Sequence, residues 1–302
     1  MKLINAVFEG GGVKGISLAG AICAAVDQGI SFNRLAGTSS GAIIASLLAA
    51  GYTCREIKDL LEETPFRSFL KRGFFYNIGV IGPTLRLLIH RGFYSGAGLT
   101  RWMEELLANK GIRTFGDLPH CKLRIVASDI SNGRLLVLPD DIVFYGQEPM
   151  KLSIADAVRM SAGIPYFFDP IRIRTREREN SLSSWAYIVD GGLLSNFPLW
   201  IFDTEQRGEE KPVPTVGFQM VGKNETEPHS IRGPVSMFQA IFETMLQAHD
   251  ERYIKKSNIE RTVKIPTLGI RTTQFHLSKQ QSDTLFNSGY DAASEFFKQA
   301  AL

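Results

Sequence analysis

Twice within the first fifty residues the chain runs from a strand through a glycine turn into a helix. No other feature of the sequence constrains the fold as much. The opening stretch Met1-Lys2-Leu3-Ile4-Asn5-Ala6-Val7-Phe8-Glu9 reads as a strand, followed by Gly10-Gly11-Gly12-Val13-Lys14-Gly15 and a helix over Ile16–Gln28. A short strand at Phe32–Ala36 then leads into Gly37-Thr38-Ser39-Ser40-Gly41 and an alanine-rich helix that Gly51 stops. Consecutive strand–turn–helix units imply a largely parallel sheet, in which both turns fall on the carboxyl edge where ligands bind.

The rest of the chain continues the alternation. Thr53 with Glu56 fits a capping box for a helix to Glu63, and Thr100 can cap another to Asn109. Leu123–Ser128 is a strand, and Asn132-Gly133 is a two-residue hairpin turn into Leu135–Leu138. Ser153 with Asp156 opens a helix that Gly163 and Pro165 end. Ile171–Ile173 and Trp185–Val189 read as paired strands around a charged connection, and Val216–Met220 as a further strand. A polar loop over 222–233, an amphipathic helix over 234–254 and a last helix after Ser278 complete the pattern. No repeat or linker divides the chain, so residues 1–302 are expected to form one domain.

One segment departs from this pattern. Residues 65–101 hold Arg67, Lys71, Arg72, Arg86, Arg91 and Arg101 with no acid, among aromatic residues and glycines. Such an insertion can meet an anionic membrane surface or cover an active site. It reads equally as a cap with solvated charges.

Composition excludes several classes. With 34 basic and 31 acidic residues the formal charge is only +3, which gives no reason to expect a nucleic-acid partner. A hydrophobic content of 44% with 22% charged residues is ordinary globular composition and argues against disorder. No apolar run reaches the ~18 residues of a membrane span. The N-terminus is too short for a secretory signal, and residues 16–29 read as a buried helix, so a cytoplasmic location is expected. Cys23, Cys54 and Cys121 cannot make a disulfide framework, and no CxxC suggests a metal site.

The first glycine turn matches GxGxxG, but a dinucleotide site also needs an acid at the end of the second strand, which here ends Ala36-Gly37-Thr38-Ser39. A phosphate loop needs GK[ST], whereas Lys14 precedes Gly15. What remains is a row of amides at a helix N-terminus, able to hold negative charge. The second turn is GxSxG. A nucleophilic serine must stand on a tight, strained turn, and side chains two residues either side would collide, so Gly37 and Gly41 suit it. Ser39 can also be read as a plain N-cap beside packing glycines.

A serine needs a base. Neither His90, His120, His229, His249 nor His276 sits at a strand end with an orienting acid. Asp190 does end a strand, before Gly191-Gly192, and burial there would raise its basicity. An isolated Asp-Gly-Gly is also an ordinary turn, and Asp129 reads as turn chemistry before its hairpin.

Together these residues resemble the patatin-like phospholipase family. The resemblance rests on Gly10–Gly15, Gly37–Gly41 and Asp190–Gly192, with Ser161-Ala162-Gly163-Ile164-Pro165-Tyr166-Phe167-Phe168-Asp169-Pro170 and Asn196-Phe197-Pro198. It runs in order from about residue 4 to 200, and the tail, with Gly289-Tyr290, is similar to bacterial members. It implies a three-layer α/β/α sandwich with a mainly parallel central sheet. It also implies a Ser–Asp dyad without histidine, and hydrolysis of fatty acyl esters of phospholipid or lysophospholipid without metal or cofactor. Carried over by residue, Ser39 is the nucleophile, Asp190 the general base, and the Gly10, Gly11 and Gly12 amides the oxyanion hole, while Lys14 takes the family's basic position. The partner is then a lipid or membrane surface, with 65–101 as a peripheral contact. An acyltransferase using the same elbow, a nucleotide-binding regulator and a non-catalytic lipid-binding module are the alternatives.

Overall fold

The computed structural model describes residues 2–64, 69, 86–87, 89–174, 185–222, 231, 233, 236–238, 240–245, 260–270, 274 and 277–299. Most of the basic segment, the charged connection 175–184, most of the polar loop and much of the helix expected over 234–254 lie outside these residues. Residues 236–238 and 240–245 are helical.

An eight-stranded sheet forms the centre. Its strands are β1 (Lys2–Phe8), β2 (Ile30–Thr38), β4 (Leu123–Asp129), β5 (Arg134–Leu138), β7 (Ile171–Arg174), β8 (Trp185–Asp190), β9 (Thr215–Val221) and β10 (Thr262–Pro266), in the order β10-β9-β1-β2-β4-β8-β7, with β5 also paired to β4. The run from β10 to β4 is parallel, while β5, β8 and β7 pair antiparallel. Helices flank the sheet: α1 (Ile16–Asp27), α2 (Ser40–Ala49), α3 (Cys54–Glu63), α4 (Ala97–Asn109), α5 (Ile154–Ser161), α6 (Trp200–Glu205) and α7 (Lys279–Gln299). Strand alternation divides the apolar residues between two cores. Ile4, Ala6 and Phe8 join the larger one with α1, α2 and α5, while Val7, Ala36 and Val126 meet Ile201 and Phe202 of α6 on the other face. The sheet thus lies between helical layers, as expected. Among the described residues no helix is long and apolar enough to cross a membrane.

Several elements differ from the sequence reading. Helix α4 starts at Ala97 rather than Thr100, because Gly96 takes the left-handed conformation (φ 69°) that turns the chain into it. The β4–β5 hairpin has a four-residue connection, since Asp129 pairs with Arg134. The Asp129 carboxylate accepts from Ser131 N, Asn132 N, Asn132 Nδ2 and Tyr145 Oη, and so widens the turn. Cys23 and Cys54 form a disulfide that ties α1 to α3. A small parallel ribbon of β3 (Gly92–Tyr94) and β6 (Tyr166–Phe168), edge strand β10 and short helix α6 were not foreseen. The Thr53 capping box forms as read, and Ser153 caps α5 by accepting from Asp156 N.

Candidate active site

Ser39 joins β2 to α2 with φ 53° and ψ −120°, in a region L-residues rarely occupy. Such a conformation costs about 1–3 kcal/mol and persists only where its surroundings enforce it. Here the enforcement is steric and hydrogen-bonded. A Cβ on Gly37 would stand 2.3 Å from the Gly41 carbonyl carbon, and one on Gly41 would stand 2.3 Å from Phe8 O. The Ser39 N–H donates to Ser161 Oγ at 2.9 Å, and Ser161 Oγ donates to Val126 O at 2.5 Å. Helix α2 is apolar and buried for most of its length, so the elbow cannot swing outward.

Asp190 reaches the same place from the opposite direction. Residues Leu123–Val126 of β4 pair with β2, and the next three, Ala127–Asp129, pair antiparallel with β8. Since β5 takes the other edge of β4 over 125–129, β8 lies beyond the point where β2 stops. Thr38 partners Val126 and Asp190 partners Ala127, which sets the carboxylate beside the elbow. Gly191 is needed there, because a Cβ would stand 2.2 Å from Val126 O and 3.0 Å from Thr38 Cγ2.

Asp190 is 1% exposed. Oδ1 accepts from Gly192 N at 2.8 Å, whereas Oδ2 is buried with no hydrogen-bond partner. Burial pushes the Asp190 pKa up to about 7, against smaller opposing effects from the Gly192 amide and then the Ser39 hydroxyl. The hydroxyl is thus near enough to act on the carboxyl group, but it does not close a hydrogen bond to Oδ2.

The first glycine turn completes the constellation. A Cβ on Gly10 would stand 3.1 Å from Ser39 Cβ. The Gly10 N–H donates to Asn196 O at 3.2 Å, and Asn196 Nδ2 donates back to Gly10 O at 3.1 Å. The Gly11 N–H donates to Ser40 Oγ at 2.9 Å. Two of the three expected oxyanion amides are therefore already engaged within the protein. Gly12 (φ 58°) begins a 3₁₀ turn over Gly12–Gly15, where leading amides have no acceptor in their own helix. Lys14 lies over this turn, its Cε 3.3 Å from where a Gly11 Cβ would stand.

The structure thus brings together Ser39, Asp190, Gly10, Gly11, Gly12, Gly37 and Gly41. His90 and His120 are exposed elsewhere, and His229, His249 and His276 lie outside the described residues. Three contributors carried no role at the site in the sequence reading. Ser161 holds the elbow amide, Gly163 O accepts the Asp190 N–H at 2.9 Å, and Asn196 clamps the glycine turn. Their stretches stood out only as familial motifs, since such contacts have no signature in local spacing.

Residues 6–203 match the profile of the family described as patatin-like phospholipase. The uncharacterized protein YqhO of Bacillus subtilis (strain 168) is 40% identical over 297 residues, covering 98% of each chain. The cGAMP-activated phospholipase of Vibrio cholerae is 28% identical over 208 residues, 64% of this chain and 54% of that one. Among solved structures, VipD from Legionella pneumophila superposes with a TM-score of 0.58 at 19% identity, covering 98% of this chain and 66% of VipD, which shows a shared fold. With a profile match along well over half of its length, a 40%-identical relative along nearly all of it, and the elbow, the strand-end aspartate and the glycine turn converging, the chain belongs to the patatin-like phospholipase family.

Proposed function

We propose that the protein is a lipid hydrolase that cleaves fatty acyl esters through Ser39 and Asp190. The observation that carries this reading is the unpartnered, buried Oδ2 of Asp190 beside a serine held at positive φ. Family membership and the phospholipase among the relatives support lipid as the substrate class.

In this mechanism Asp190 Oδ2 takes the Ser39 proton as Oγ bonds to the acyl carbon. The carbonyl π electrons move onto oxygen, and the oxyanion rests on the Gly12 amide and the N-terminal end of α2, whose dipole favours negative charge. The carbonyl re-forms, the ester C–O bond breaks, and the leaving alcohol or lysolipid takes the proton back from Asp190. Water then repeats the sequence against the acyl-enzyme, giving its proton to Asp190, and releases the fatty acid with Ser39 restored. A carboxylate with its pKa near 7 is a far better base at neutral pH than an ordinary one.

The test compares wild type with Ser39→Ala and Asp190→Asn. Each variant should fold and lose ester hydrolysis by at least ~10³-fold, and a serine-reactive phosphonate should label wild type but not Ser39→Ala. Substantial activity in either folded variant would refute the dyad.

A further inference from the structure

We propose that the β7–β8 hairpin is a docking platform for an anionic lipid bilayer, set over the catalytic edge of the sheet. The proposal deepens the lipid-hydrolase reading and rests on it for the identity of the surface.

The hairpin overhangs the sheet. Ile188 is the last β8 residue paired with β4, opposite Asp129. Beyond it Tyr187 O accepts from Ile130 N and Tyr187 N donates to Ser131 Oγ, and the strand continues outward to Trp185. Three residues at roughly 3.3 Å each carry Trp185 about 10 Å past the end of β4. This is the same edge on which the Ser39 elbow stands.

The two faces of the hairpin differ sharply. Ile171 opposes Ile188 and Ile173 opposes Ala186, and these side chains pack in or against the larger core. Arg172 opposes Tyr187 and Arg174 opposes Trp185, so all four share the other face. Both arginines are exposed, as is Trp185 at 42%. The Arg172 guanidinium lies 5.7 Å from the Trp185 ring centre. Exposed Arg91 adds a third cation 4.8 Å from the Tyr187 ring, and exposed Ile130 is joined to Tyr187 through its backbone N–H. Among the described residues none of these three guanidiniums pairs with a carboxylate.

What sets this face apart from a merely charged one is that three exposed guanidiniums share it with an exposed tryptophan and the half-buried Tyr187. Guanidinium groups with amphipathic aromatics suit the headgroup layer, where phosphates meet the cations and the rings bury their apolar bodies. An enzyme that takes an acyl chain from a bilayer must also present its catalytic edge to it. The sequence reading placed membrane contact in 65–101; the described part of that segment contributes Arg91 to this face.

The experiment is co-sedimentation of the full chain with phosphatidylcholine vesicles and with vesicles that also contain phosphatidylglycerol, alongside hydrolysis of a soluble short-chain ester. Wild type should prefer the anionic vesicles. Each arginine removed should weaken that partition about fivefold, so Arg172→Gln with Arg174→Gln weakens it ~25-fold while soluble-ester hydrolysis stays at the wild-type rate. Arg91→Gln, outside the hairpin, gives an independent fivefold test should the double variant misfold. Equal wild-type binding to both vesicle types overturns the proposal, as does undiminished binding by the variants. Retention on heparin without retention on anionic vesicles would reassign the face to another polyanion and overturn it too. Anionic-vesicle binding with no esterase activity in wild type would sink the dyad and leave the docking face standing.

Discussion

At the scale of single residues, the site depends on one serine in a strained conformation and one aspartate in an unfavourable environment. Protonation of Asp190 is favoured in the folded protein, where its pKa is about 7. The proposed reaction needs the ionised form, so kcat/KM for a soluble ester should climb with a midpoint near pH 7 and then level off. A midpoint near 4 would remove the burial argument. The same shift has a thermodynamic sign. Between the ordinary carboxylate pKa and about 7 the native state binds this proton more tightly than the unfolded chain, so stability falls as pH rises through that window. Asp190→Asn, which cannot ionise, should therefore unfold at higher denaturant than wild type above pH 7, by at most roughly 4 kcal/mol. Ser161 acts at one remove. Ser161→Ala leaves the Ser39 N–H and Val126 O buried without that partner, at a cost of about 1–3 kcal/mol. If it positions the elbow, kcat should fall roughly 10- to 100-fold with KM nearly constant. A fall in stability with kcat intact would make Ser161 structural only.

At the scale of elements, helices α1 and α7 approach so closely that side chains are excluded between them. A Cβ on Gly20 would stand 1.9 Å from Phe286 O, and one on Gly289 would stand 1.8 Å from Ser17 O. Neither contact is with the end of a flexible side chain, so the helices must separate to admit a methyl group. Gly20→Ala and Gly289→Ala should each cost roughly 1–3 kcal/mol in urea unfolding, although alanine favours a helix more than glycine does. An unchanged midpoint would mean that the two helices yield freely. Another element-scale link runs from ribbon to elbow. Arg159 of α5 is 2% exposed and donates to Ser95 O and Asp169 O, while Arg86 pairs with the Asp169 carboxylate at 2.8 Å. Burial pushes the Arg159 pKa down to about 10, yet the group stays charged at neutral pH. It fastens the β3–β6 ribbon to the helix whose last residue, Ser161, holds the Ser39 amide.

At the scale of the whole molecule, the edge that carries Ser39 and Asp190 and the overhanging hairpin come from one topological fact: β4 outlasts β2, and an antiparallel strand fills the space that β2 leaves. That strand delivers Asp190 inward at one end and Trp185 outward at the other. The sequence by itself determined the parallel strand–turn–helix start, because Gly37 and Gly41 leave local backbone geometry few alternatives around Ser39. It also marked Asp190 as the strand-end acid, through the order of residues around it. It could not decide which amides of Gly10–Gly12 stay open, since Asn196 and Ser40 engage two of them from elsewhere. It did not reveal the β3–β6 ribbon, whose strands lie more than seventy positions apart and are three residues long, too short for a periodic signal. Nor could it show that Arg91, Arg172 and Trp185 share a surface, because register between distant strands sets that. Local sterics and hydrophobic period are written in neighbouring residues. Burial, pKa and the pairing of remote polar groups arise only when the chain closes on itself, and tertiary structure alone decided them.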